Sequence, residues 1–201
     1  MNRRPLIIAC GALAGDLRAV LGPDSPVEVE YLPANLHNRP ERIVPALRAR
    51  LAAALAEGRR VFVGYADCGT GGALDLLLGE LPGVDRLPGA HCYEFFAGSE
   101  RFAAMHDAEP GTFYLTDYLA RHFDALVWHG LGLDRHPELR DEYFRNYRRV
   151  VHLAQRDDDN IRRLAAAAAD RLGLDFETHG TGYGAFAAAI EGIAATSECS
   201  T

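Results

Sequence analysis

Two rhythms of apolar and polar positions run along the chain. Short, largely apolar runs at residues 5–10, 61–65, 112–116 and 149–155 have the pattern of strands buried on both faces. Residues 27–32 alternate, and residues 175–179 form a last short extended run. Between these runs lie segments with helical spacing: 12–21, 41–57, 72–81, 91–107, 118–129, 137–147, 157–172 and 185–193. Helix punctuation agrees with them. Gly22-Pro23 closes the first, Pro40 suits the first turn of the second, and Asp157-Asp158-Asp159 places carboxylates at a positive helix start that Gly173 later ends. Residues 84–90 make only a brief extended piece, interrupted by Pro88-Gly89. Strands alternating with helices predict a single Rossmann-like α/β domain over residues 1–193. It would have a mostly parallel sheet of about 5–7 strands with helices on both faces. A small, polar, flexible tail is expected over residues 194–201.

The stretch at residues 60–75 changes this from a fold into a candidate site. A buried strand runs into Asp67-Cys68-Gly69-Thr70-Gly71-Gly72 and then a helix. The glycines permit a sharp turn and close approach of backbone to a ligand. In open α/β sheets ligands bind at the carboxyl ends of the strands. Cys10 ends the first strand, Cys68 follows the third, and Cys92 lies in the loop after the next extended piece, flanked by His91 and Glu94. Parallel strands bring such ends to one edge. Cys10, Cys68 and Cys92 with His91 form a donor set for zinc, and thiolates also hold iron–sulfur clusters. Buried free cysteine is equally an ordinary core residue.

His91, Glu94 and Asp67 are the acid–base candidates. Glu94 lies on the same helix face as His91, where it would orient a bound histidine, take a proton or cap the helix. A thiolate of Cys92 at a helix start is stabilised by the amides and the dipole. Thr70, Gly71 and Gly72 resemble an anion cradle for a small anionic substrate, and Gly180-Thr-Gly-Tyr-Gly184 is a second turn of that kind, with Tyr183 as a phenolic donor. The first turn lacks the lysine of a P-loop and the dinucleotide-binding glycine pattern. His37-Asn38-Arg39 lies in a loop and reads as solvated, or as presenting a cation to a carboxylate. His129 and His136 with Asp134 fall in a further loop. Trp128, Tyr143, Phe144 and Tyr147 read as core. Arg145, Arg148 and Arg149 read as a solvated face or an interface, which leaves a homo-oligomer open.

Composition narrows the classes. Of 201 residues, 48% are hydrophobic and 24% charged, as in ordinary globular proteins. The net charge of −7 disfavours nucleic acid and anionic membrane surfaces. No apolar run reaches the roughly 20 residues of a membrane span. Four cysteines are few, so reduced thiols and a cytoplasmic location are the default, with Cys199 in the tail a bystander.

The segments Leu6-Ile-Ile-Ala-Cys-Gly11, Gly64-Tyr-Ala-Asp-Cys-Gly-Thr-Gly-Gly72, Gly89-Ala-His-Cys-Tyr-Glu94 and Trp128-His-Gly-Leu-Gly-Leu-Asp-Arg-His-Pro-Glu138 together resemble the prokaryotic domain-of-unknown-function family 1638. The resemblance implies a single-domain cytosolic protein. It also implies a neighbourhood of corrinoid and methyl-transfer genes, and so a corrinoid or methyl-transfer protein as partner. An enzyme of methyl or one-carbon transfer, with Cys10, Cys68, His91, Cys92 and Glu94 at its centre, is the corresponding expectation. A non-metal module for a small anion and a metal-free cysteine nucleophile are the alternatives.

Overall fold

A computed structural model describes residues 4–198, which leaves Cys199 outside the described residues. The α/β class and the parallel strands are as expected, but the seven strands divide between two sheets. The chain separates into two compact units, one formed by residues up to Phe95 and from Tyr183 on, the other by Phe96–Gly182.

The first unit begins with β1 (Leu6–Cys10), every residue of which is buried. It continues through α1 (Ala14–Leu21), β2 (Glu28–Leu32), α2 (Ile43–Ala56), β3 (Val61–Gly64), α3 (Ala73–Gly79), β4 (Asp85–Arg86) and α4 (Cys92–Ala97). The four strands pair in parallel in the order β2-β1-β3-β4. β1, in the middle, is apolar because both its faces are covered. Gly64 is required by strand packing: a Cβ there would lie 2.6 Å from that of Ala9. Ile43, Leu47 and Leu51 give α2 its fully buried stripe.

In the second unit, α5 (Ser99–Ala108), β5 (Thr112–Thr116), α6 (Asp117–Arg121), α7 (Leu139–Phe144), β6 (Arg149–Ala154), α8 (Asp159–Leu172) and β7 (Asp175–Gly180) follow in order. The parallel sheet is β5-β6-β7. α8 buries Ile161, Ala165, Ala168, Ala169 and Leu172 at helical spacing. The Asp158 carboxylate caps it by accepting from the amides of Asn160 and Ile161 at 2.9 and 3.1 Å, and left-handed Gly173 ends it. The chain then returns to the first unit as α9 (Gly184–Glu198), where Phe186 stacks on Phe95 at 5.6 Å.

Several elements differ from expectation for local reasons. Gly98, at φ +84°, breaks the helix expected over 91–107 into α4 and α5. The helix expected over 118–129 gives way to a π turn at Asp124–Trp128, over whose Trp128 ring the Arg171 guanidinium sits at 3.7 Å. Only Asp85 and Arg86 of residues 84–90 are strand, since Pro88 cannot donate to a ladder. The last helix runs past residue 193 to Glu198. Tyr143 is 45% exposed rather than core, whereas Phe144 is buried. Arg149 is engaged within its own sheet, donating to Glu177 at 2.9 Å.

Candidate functional site

The geometry of sheet β2-β1-β3-β4 assembles the thiols. Ala9 pairs with Gly64 across the β1–β3 ladder, so Cys10, the last residue of β1, and Tyr65, just past β3, come one step further on side by side. After Tyr65 and Ala66 the chain turns, and backbone bonds tie the turn to the segment entering α4. The amides of Asp67 and Cys68 donate to the carbonyls of Gly89 and Ala90 at 3.1 and 2.9 Å. Cys92 is thereby drawn to the end of β3. Cys10 is buried, while Cys68 and Cys92 are half-buried.

All three thiols are held protonated. Burial raises Cys10 to about 11, against the favourable amide of Ala12 and the Tyr65 hydroxyl. Burial, and then the neighbouring Cys10, push Cys68 up to about 12. Cys92 rises through burial and through both other thiols. That mutual influence places the three within electrostatic reach of one another. Among the described residues, no group of three or more His, Cys, Asp or Glu side chains stands close enough, as placed, to hold an ion.

Two residues not singled out as ligands belong to this cluster. His37 sits on a short 3-10 turn, Ala34–Asn38, within the loop after β2. Its Nδ1 is 3.5 Å from the Cys10 sulfur and 3.2 Å from the Ala34 carbonyl oxygen. Its ring stacks on Tyr65 with centroids 6.0 Å apart. Desolvation, and the nearby His91, lower its pKa. Tyr65 is 1% exposed, and its buried hydroxyl lies against the Cys10 thiol. The signal in the sequence was position alone: Tyr65 follows the strand that neighbours β1.

The other predicted site residues are engaged locally. Asp67 accepts from the Thr70 hydroxyl at 2.6 Å and from the amides of Gly71 and Gly72 at 3.1 and 2.9 Å. The Thr70 hydroxyl, more than any other group, holds the Asp67 carboxyl below its ordinary range. The turn thus offers those amides to its own carboxylate. Glu94 accepts from the Ala90 amide at 2.9 Å, the capping role. His91 is exposed, with its ring 6.3 Å from that of Tyr93. Tyr183 is half-buried, its ring 6.5 Å from Phe186. Arg86 clamps the region, bidentate to Asp75 and donating to the carbonyls of Leu87 and Gly89. His129 and His136 pair with Asp134 and Glu138 in the second unit.

Cys68 also carries strain. At φ +52° it is the one non-glycine residue with positive φ among those described. Cysteine pays a steric penalty there that glycine does not, and such outliers gather at functional sites.

Sheet and thiol cluster define an α/β protein with a cysteine-rich edge at the carboxyl ends of parallel strands. The chain belongs to the family described as protein of unknown function (DUF1638), whose model matches residues 31–190. The match covers His37, Tyr65, Cys68 and Cys92 and begins after Cys10. No curated protein and no solved structure matches the chain. Among the described residues no helix is long and apolar enough to cross a membrane.

Proposed function

We propose that the thiol-rich edge of the first unit is a binding site for a thiophilic metal, zinc or an iron–sulfur cluster, supplied by Cys10, Cys68, Cys92 and an imidazole. What supports this reading is the placement of three buried or half-buried thiols at or just beyond the strand ends of one parallel sheet. Burial, and for Cys68 and Cys92 then the neighbouring thiols, disfavours ionisation, and a soft cation reverses that balance by coordinating the sulfurs. Each thiol that ligates releases its proton to solvent, so binding tightens as pH rises. As placed, the side chains are open, and ligation requires them to draw together.

The two alternatives are less well supported. An anion module would use the glycine amides, which already serve Asp67. A metal-free nucleophile needs a depressed thiol pKa, and burial moves all three the other way. Methyl or one-carbon transfer, with a corrinoid or methyl-transfer protein as partner, is the finer form of the proposal. It rests on the nucleophilicity of a metal-bound thiolate and on the family resemblance.

Elemental analysis and an ultraviolet–visible spectrum of anaerobically purified protein test the reading. Near-stoichiometric zinc or iron, lost in Cys68→Ser, is expected. Metal-free protein whose thiols all alkylate readily would reject it.

A further inference from the structure

In the second unit, α6 and the π turn that follows it pack beside α8, and a cleft of about 160 Å³ opens between them. Ala120, Phe123, Leu164 and Ala168 give it apolar walls. Its rim is held in place: Arg171 is paired with Asp124 and lies over the Trp128 ring at 3.7 Å. Pockets for drug-sized ligands and cofactors run to about 300–1,000 Å³. This cleft has room for a single aliphatic side chain.

The outer face of α8 carries the other half of a fit. Arg163, Leu164, Ala167 and Asp170 are all exposed there, spaced along one side of the helix. Leu164, at the lip of the cleft, is 40% exposed. Ala167 stands in the middle of the face, and its small side chain lets another helix come close. Arg163 and Asp170 flank it, two helical turns or about 10.5 Å apart. Among the described residues neither of these side chains has an ion-pair partner. Asp170 also stands in the last turn of α8, where the helix's own field favours a cation. The helix by itself gains nothing from that carboxylate.

A two-fold axis at Ala167 gives each of these features a partner. Two copies of α8 crossing antiparallel on that axis set Arg163 of each against Asp170 of the other, and Leu164 of each over the other's cleft. Opposite charges on either side of a small residue are complementary to the same surface turned around, and a two-fold dimer is the commonest way for a chain to pair with itself. We propose that this face of α6 and α8 is the docking surface for a second copy of the chain, with Leu164 as the knob and the α6–α8 cleft as the hole. An apolar centre within a charged rim is the ordinary anatomy of such a contact. The face is small against the roughly 800 Å² per partner of a standard interface, so the dimer is reversible and depends on concentration.

Sedimentation velocity of the reduced full-length chain over a concentration series reads this directly, with circular dichroism of each variant as the check on folding. The wild-type chain is expected to pass from monomer to dimer as concentration rises. Arg163→Glu and Asp170→Arg each set like charges opposite one another, and each is expected to weaken self-association at least about tenfold. Both substitutions suit the dipole of α8, so loss of the helix is not the cause. Mixed in equal amounts, the two variants are expected to form a heterodimer close to wild-type affinity, because each chain then meets two charges of opposite sign. Leu164→Asp removes the knob and is expected to abolish association with helix content retained. A wild-type chain that stays monomeric throughout would overturn the proposal and leave the cleft to a different protein or a small molecule. A dimer indifferent to the single charge reversals would place the contact on another surface. Variants that remain monomeric when mixed would rule out the antiparallel pairing.

Discussion

The sulfur of Cys10 and Nδ1 of His37 meet at 3.5 Å although 27 positions separate them in the chain. One ends a buried strand and the other rides on a turn after the neighbouring strand, so the parallel β1–β2 pair, not local sequence, brings them together.

The buried thiol makes stability depend on pH. Cys10 is neutral when protonated, and its pKa rises from an ordinary 9.0 to about 11 on folding. The unfolded chain therefore releases this proton first. The contribution is fully present below pH 9 and is lost as pH rises from about 9 to about 11. It amounts to about 2–3 kcal/mol for this group. Unfolding of the reduced, metal-free chain followed across that window should show the fall, and Cys10→Ala should make it shallower, Cys68 and Cys92 supplying the rest. Equal slopes in both proteins would contradict the assignment.

Strain at Cys68 predicts an asymmetry between two substitutions. Both Cys68→Gly and Cys68→Ala remove the thiol, but only glycine is at ease at φ +52°. The glycine variant should be more stable than the alanine variant by about 1 kcal/mol, measured by chemical denaturation. An alanine variant of equal or greater stability would show that the turn is unstrained.

Gly89 holds the entry to α4. A side chain there would meet both an unfavourable φ of +87° and the Glu94 carboxylate, whose Oε2 would lie 2.7 Å from the new Cβ. Gly89→Ala should cost about 1–3 kcal/mol and displace the Glu94–Ala90 bond beside Cys92. Gly83→Ala, at φ +81° with nothing within 4 Å, bears the backbone cost alone and should destabilise less. Chemical denaturation of the pair separates the two effects, and equal losses would show that the Glu94 contact gives way freely.

The second unit contains a buried polar network that pattern reading missed. Asp117 and His152 are almost wholly buried and meet at 3.0 Å. Asp117 also accepts from the Gln155 amide at 3.2 Å and from Arg156 at 3.4 Å, and its own amide donates to the Gln155 side chain at 2.7 Å. Asp117→Ala leaves the histidine and several donors without their acceptor and should destabilise by about 3–5 kcal/mol. Fluorescence of Trp128, the chain's single tryptophan and part of the same unit, would report it during denaturant unfolding. A loss below about 1 kcal/mol would mean that water replaces the carboxylate.

Local rules made most of the fold legible. Continuous apolar runs located the buried strands, Asp158 and Gly173 bounded α8, and the glycines after Tyr65 marked the turn that carries Cys68. They were weakest where one residue outweighs a periodic pattern: Gly98 interrupts a helix, and Pro88 trims a strand. The amides of Gly71 and Gly72 resembled an open cradle because the sequence does not say that Asp67 folds back onto them.

By itself the sequence determined the alternation of strands and helices and the placing of Cys10, Cys68 and Cys92 at or after strand ends. Periodicity, turn residues and caps act over a few neighbours and are written in the chain. The tertiary structure alone decided that the strands divide into sheets of four and three, that His37 and Tyr65 join the cysteines, and that Glu94 and Asp67 bond to nearby amides. Those outcomes depend on which strands pair and on which buried polar groups find partners. Both are settled by long-range packing and desolvation, which no short stretch of sequence specifies.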